Sequence, residues 1–137
     1  MEVLLERIDD AFHMQSSNDT GNTVESDGSP KIGGHNKAMR PMQMVLAALG
    51  SCSSIDVIHL LNKQRQPLDD IKIKVSGQRV QDQVPAVFTD IQVHYHLFGD
   101  LDETKVKRAI QLSMDKLCSV SKMLEKSVNI TWSYEIN

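Results

Sequence analysis

Apolar positions recur at every second residue in three stretches of the chain. In DDIKIKVSGQRV, Ile71, Ile73 and Val75 fall on one side and Lys72 and Lys74 on the other. In FTDIQVHYHLFG, Ile91, Val93, Tyr95 and Leu97 oppose Gln92, His94 and His96. In SVNITWSYEIN, Val128, Ile130, Trp132, Tyr134 and Ile136 share a face. A period of two predicts strands. One apolar and one polar face predicts a sheet covered on one side, with antiparallel pairing.

The run PMQMVLAALGSCSSIDVIHLL follows a different rule. Pro41 suits the first helical position, where its missing N–H costs nothing. The pattern predicts a helix from Pro41 to Lys63 or Gln64, stopping ahead of Pro67. Ala47, Ala48, Gly50, Ser51, Cys52, Ser53 and Ser54 make its centre small. A helix that is apolar or small on most sides is buried on most sides. A chain of 137 residues can hardly surround it alone, which predicts a dimer. The run is almost long enough to span a bilayer. Gln43, Asp56, His59 and the serines interrupt it, and no aromatic belt flanks it. It therefore reads as the buried helix of a soluble protein, with no membrane partner.

Between the last two strands, Asp102 or Thr104 caps a second helix, continued by Val106, Ala109, Ile110 and Ser113 at helical spacing. A break is expected at Leu117–Ser119, then a short helix over VSKMLEK. Residues 2–15 alternate weakly and predict an edge hairpin. The Gly-, Ser- and Asn-rich stretch that follows predicts turns, with a short strand near Thr23–Glu25. By composition it is the most mobile segment and the natural lid. The expectation is one α+β domain over 1–137: N-terminal strands and loop (1–40), central helix (41–64), and strands with the second helix (69–137). That size buries a core without disulfides or a structural metal.

Composition excludes some functions. The formal net charge is -3 and the 15 basic residues are scattered, so no nucleic-acid footprint exists. MEVLLERIDD lacks the order of a signal peptide, which predicts a cytoplasmic protein. In a reducing compartment, two cysteines are more readily free, metal-binding or catalytic than bridged. Cys52 and Cys118 are far apart and form no C-x-x-C, so neither a zinc finger nor a thioredoxin motif fits. His94-x-His96 reads as a solvated strand face without a third ligand, and no metal or cofactor is expected.

The cysteines remain the candidate chemistry. A peroxide-reducing thiol must become a thiolate, partly accessible and beside a positive charge. A second thiol then resolves the sulfenic acid. The plainer reading is that both pack as small hydrophobes. Cys52 lies some three turns into its helix, beyond the reach of the helix dipole. Arg40, Arg65 and Arg79 are candidate cations. Asp56 (i+4) opposes a thiolate at Cys52, and His59 (i+7), if charged, favours one. Met39, Met42 and Met44 line an apolar pocket or pack the helix entry.

Three segments resemble a known family. PMQMVLAALGSCSSIDV is similar to the P-x-x-L-L-x-A-A-x-x-x-C helix of the osmotically inducible protein C and organic hydroperoxide resistance proteins (OsmC/Ohr). AIQLSMDKLCSVSKML resembles that family's second cysteine motif, and VPAVFTDIQVHYHLFG the strand between them. The resemblance covers roughly residues 38–137. It implies an antiparallel sheet wrapped around two long central helices in an intertwined homodimer, and reduction of organic hydroperoxides in oxidative-stress defence. It assigns Cys52 the peroxidatic role and Cys118 the resolving role, with a dithiol as reductant. The chain departs from the pattern at one point. The family's peroxidases carry a Glu directly after the helix-starting proline, paired with an activating Arg from the N-terminal loop. Here Met42 follows Pro41, Gln43 comes next, and no arginine lies between Arg7 and Arg40. Arg40, Met42 and Gln43 are thus the binding candidates at the helix entry. Two functions stay open: a thiol peroxidase, or a non-catalytic or redox-sensing protein binding a small apolar ligand at the dimer interface.

Overall fold

The computed structural model of the chain describes residues 1–137. It contains two three-stranded sheets, and its residues cluster into two units, Met1–Val45 and Leu46–Asn137.

In the first unit, strands β1 (Val3–Arg7), β2 (Met14–Asn18) and β3 (Thr23–Ser26) form an antiparallel meander. The expected hairpin over 2–15 is displaced: only its first arm lies there, and β2 begins at Met14. The cause is Asp9, whose Oδ1 accepts from the amides of Ala11 (2.8 Å) and His13 (3.1 Å) and spends those residues on the turn. β3 lies where the sequence puts it. The segment expected to be the loosest is organised around one buried carboxylate. Asp27 accepts from the amides of Gly28 (2.7 Å), Lys37 (2.9 Å) and His35 (3.3 Å). The Lys37 amide above all holds this carboxyl below its usual range.

Helix α1 (Pro41–Lys63) starts in the first unit and continues through the second. Its bounds match the expectation. Arg65 adopts a left-handed φ of 54°, the Gln66 amide donates back to Leu61 O, and Pro67 prevents continuation. Within the second unit, Leu49, Ser53, Val57 and Leu61 form the buried stripe at four-residue spacing. α1 approaches the sheet tightly at Gly50, where a Cβ would lie 2.9 Å from Val75 Cγ2. The opposite side of the helix is uncovered: Ala47, Ala48, Ser51 and Ile55 are exposed, Ile55 by 64%. By length and composition α1 could cross a membrane.

The second sheet has the order β4-β5-β6, with β4 at Asp70–Arg79, β5 at Phe88–Phe98 and β6 at Asn129–Ile136. β4 and β5 pair antiparallel, as expected. β6 runs parallel to β5, contrary to the antiparallel expectation. The intervening helical segment carries the chain back across the sheet, which a parallel neighbour requires. That segment comprises α2 (Glu103–Leu112), a π-helical turn (Ser113–Leu117) and α3 (Ser119–Leu124). Asp102 caps α2, its side chain accepting from the Lys105 amide at 3.1 Å. Ile91, Val93, Tyr95 and Leu97 of β5 form the core with Val106, Ala109 and Ile110 of α2.

Candidate functional site

Cys52 and Asp56 each precede a residue of the buried stripe, Ser53 and Val57, so both sit at its margin, half-buried. Cys118 arrives from the other side. After the π turn its backbone is extended (φ -67°, ψ 106°), its amide donates to Ser113 O at 2.8 Å, and it caps α3. It therefore lies at the predicted break and not within a helix. Its side chain is fully buried. The sulfurs of Cys52 and Cys118 and a carboxylate oxygen of Asp56 all lie within 4.8 Å of one another.

Ser113 Oγ lies 2.9 Å from Asp56 Oδ2 and 3.4 Å from Ser53 O. A hydroxyl has one proton to give, and the shorter, charge-assisted contact to the carboxylate takes it. Ser121 braces the break twice. Its amide donates to Cys118 Sγ at 3.4 Å, and its Oγ donates to Met114 O at 3.1 Å. An amide donor of that kind favours a thiolate. Burial outweighs it and pushes the Cys118 thiol up to about 11, with the neighbouring Cys52 acting in the same direction. At neutral pH Cys118 holds its proton.

Tyr95 is fully buried on β5, and its hydroxyl makes no well-formed hydrogen bond, with the Ser53 side chain as its polar neighbour. Burial pushes it up to about 12 against the opposing pull of the Ser53 side chain, and Cys118, Asp56 and Cys52 add smaller effects in the upward direction. An unpaired buried hydroxyl costs stability, so the arrangement is notable beside a thiol cluster. Sequence reasoning gave Tyr95 to the core and Ser113 to the helix face. It noted Asp56 only as the i+4 neighbour of Cys52, and that spacing was the available signal.

Arg40, Met42 and Gln43 belong to the first unit. The Arg40 amide donates to Gln43 Oε1 at 2.9 Å, the reverse half of a capping box, so Gln43 serves the helix start. The Arg40 guanidinium donates to Ala38 O (2.9 Å) and Asn36 Oδ1 (2.7 Å). Met42 is half-buried, and His59 is exposed. On β5, His94 Nε2 and His96 Nδ1 both approach Glu135 (3.5 and 3.2 Å), and His94 Nδ1 meets Ser133 Oγ at 2.9 Å. Glu135 was invisible to sequence because it arrives through the parallel register of β6.

Two cysteines brought together by α1 and a broken α2–α3 segment form a specific architecture. A family model for OsmC-like proteins matches residues 34–133. The chain belongs to the OsmC-like family. This OsmC-like chain is 48% identical to protein YhfA of Escherichia coli K12 over 101 residues, 73% of this chain and 75% of YhfA. A hypothetical protein from Aquifex aeolicus VF5 shares its structure with a TM-score of 0.81 and 33% identity, over 99% of this chain and 96% of that one. An organic hydroperoxide resistance protein OsmC from Legionella pneumophila shares the fold, with a TM-score of 0.72 and 16% identity over 98% and 97% of the two chains.

Proposed function

We propose that this OsmC-like chain reduces organic hydroperoxides through the thiols of Cys52 and Cys118. The observation that carries the reading is the convergence of a half-buried and a fully buried sulfur, drawn from separate elements, within 4.8 Å. Cys52 as thiolate attacks the peroxide. The O–O bond breaks, the alkoxide takes a proton and leaves as the alcohol, and Cys52 carries a sulfenic acid. Cys118 then attacks that sulfur, its proton leaves with the hydroxyl as water, and a disulfide forms. A dithiol reductant restores both thiols. The difference in burial suits this order, since only the first attack needs an accessible sulfur. The family relationship supports the substrate class, with relatives of the same fold described as hydroperoxide resistance proteins.

The reading includes a homodimer in a reducing cytoplasm. Its support is the uncovered side of α1, together with β1, where Val3, Leu4 and Leu5 are each more than half exposed.

The test is peroxide consumption with a dithiol reductant. Wild type turns over, Cys52→Ser is inactive, and Cys118→Ser stalls after oxidising once. Equal, slow consumption by wild type and Cys52→Ser would sink the reading. A second reading, a redox sensor or binder of a small apolar ligand, is favoured by the negative charge of Asp56 beside the thiols and by the commitment of Arg40 to its own loop. That same equal consumption would select it.

A further inference from the structure

The feature that makes the thiols awkward as nucleophiles makes them suitable for something else. Cys52, Cys118 and Asp56 can each carry a negative charge, and they converge within 4.8 Å. Two thiolates and a carboxylate at that separation repel one another strongly in a half-buried site. A divalent cation removes the repulsion, and thiol ligands give up their protons when it binds. We propose that the reduced protein binds one thiophilic divalent cation of the zinc type through Cys52 Sγ, Cys118 Sγ and an Asp56 carboxylate oxygen, with the fourth position open to water or an external thiol.

The donor set fits that ion. Thiolate sulfur selects zinc-like cations over calcium or magnesium, and three protein ligands with one open position is a common zinc arrangement. With metal–ligand bonds of about 2.0–2.3 Å, tetrahedral donors stand roughly 3.5–3.8 Å apart. Side-chain adjustment of about an ångström closes the observed cluster to that size. Cys52 and Asp56 are presented one turn apart on a single rigid helix, and Cys118 by a break that Ser121 braces. The metal ligand that could swing is fixed from outside: Ser113 Oγ donates to Asp56 Oδ2 at 2.9 Å. Bonds of that kind orient carboxylate ligands and sharpen metal affinity.

A second observation points the same way. The Tyr95 hydroxyl is fully buried, has only a loose contact with the Ser53 side chain, and feels all three donors. A buried hydroxyl so loosely held near three potential ligands is placed to bond whatever occupies the open position. The inference goes beyond the peroxidase reading and does not depend on it, because it concerns the reduced protein with no peroxide present.

The experiment is a titration of the full-length, reduced, metal-free protein with Co2+ under anaerobic conditions, followed by displacement with Zn2+. Expected are saturation at one cobalt per chain, a thiolate-to-cobalt charge-transfer band, tetrahedral visible bands, and release of about two protons on zinc binding. Cys52→Ser and Cys118→Ser lose charge-transfer intensity. Asp56→Asn, nearly isosteric, weakens binding by on the order of tenfold or more, and Ser113→Ala by about 10–100-fold. Circular dichroism and melting of each variant separate loss of ligand from loss of fold. The proposal is overturned by a missing charge-transfer band at saturating cobalt. It is equally overturned if folded Asp56→Asn binds as tightly as wild type, or if Cys52→Ser keeps the full spectrum. Since no peroxide enters the assay, failure here leaves the peroxidase reading standing, and failure of peroxide turnover leaves this one standing.

Discussion

Ser113 Oγ donates to Asp56 Oδ2 at 2.9 Å, tying the π turn to α1 and fixing a carboxylate against two thiols. That charge opposes thiolate formation. In metal-free buffer, Asp56→Asn should speed alkylation of Cys52 severalfold or more, since removing a unit charge from about 5 Å is worth roughly 1–3 kcal/mol between water-like and intermediate dielectric. Initial rates of iodoacetamide labelling, with Cys118→Ser as background, measure it. An unchanged rate would mean that solvent screens the carboxylate.

Cys118 makes the stability of the fold sensitive to alkali. Its pKa in the folded protein is raised from 9.0 to about 11, chiefly by burial. The unfolded chain therefore loses this proton first as pH rises. The stabilisation is fully present below about pH 9 and is lost by about pH 11, amounting to at most roughly 2–3 kcal/mol. Tyr95 acts in the same sense between 10.0 and about 12. Urea unfolding at pH 8 and pH 11 should show the loss, and Cys118→Ala should show a smaller one.

Tyr95→Phe removes a buried hydroxyl whose one contact, with the Ser53 side chain, is loose. The folded, metal-free variant should be more stable than wild type by up to about 1 kcal/mol, because the desolvation cost that vanishes with the oxygen outweighs the loose contact with Ser53. A shift of the thermal midpoint upward at pH 7 checks this. If cation binding weakens in the same variant, stability and site chemistry are opposed at one residue.

The two sides of α1 predict opposite kinds of failure. Leu61 is fully buried, and Leu61→Ala should cost about 2–5 kcal/mol in unfolding experiments. Ile55 is exposed by 64% within the chain. Ile55→Arg should leave a folded protein and convert the proposed dimer to a monomer, read by light scattering. A monomeric wild type would remove the dimer from the functional reading.

Local rules made much of this fold legible. Pro41 and Pro67 bracket α1, period-two alternation marks β4, β5 and β6, and Asp102 announces α2. What escaped was decided at long range. The direction of β6 depends on where α2 and α3 return the chain, which alternation along a strand does not encode. The break at Leu117–Ser119 was readable, whereas the π geometry that leads into it was not. At the site, Cys52 and Asp56 share a helix face by spacing alone. Cys118 was announced only by the resemblance of its segment to the family's second cysteine motif, whereas the arrival of Ser113 and Tyr95 is tertiary, and no spacing in the chain announces it.

Cys118 also supplies the sulfur that accepts the Ser121 amide at the first turn of α3. Helices are more often capped by oxygen, which is chemically inert there. A sulfur cap can be withdrawn by a reaction. Once that atom bonds elsewhere, the amide loses its acceptor and the six-residue helix loses its anchor. The state of one atom is thereby written into backbone order, where hydrogen exchange at Ser121 could read it.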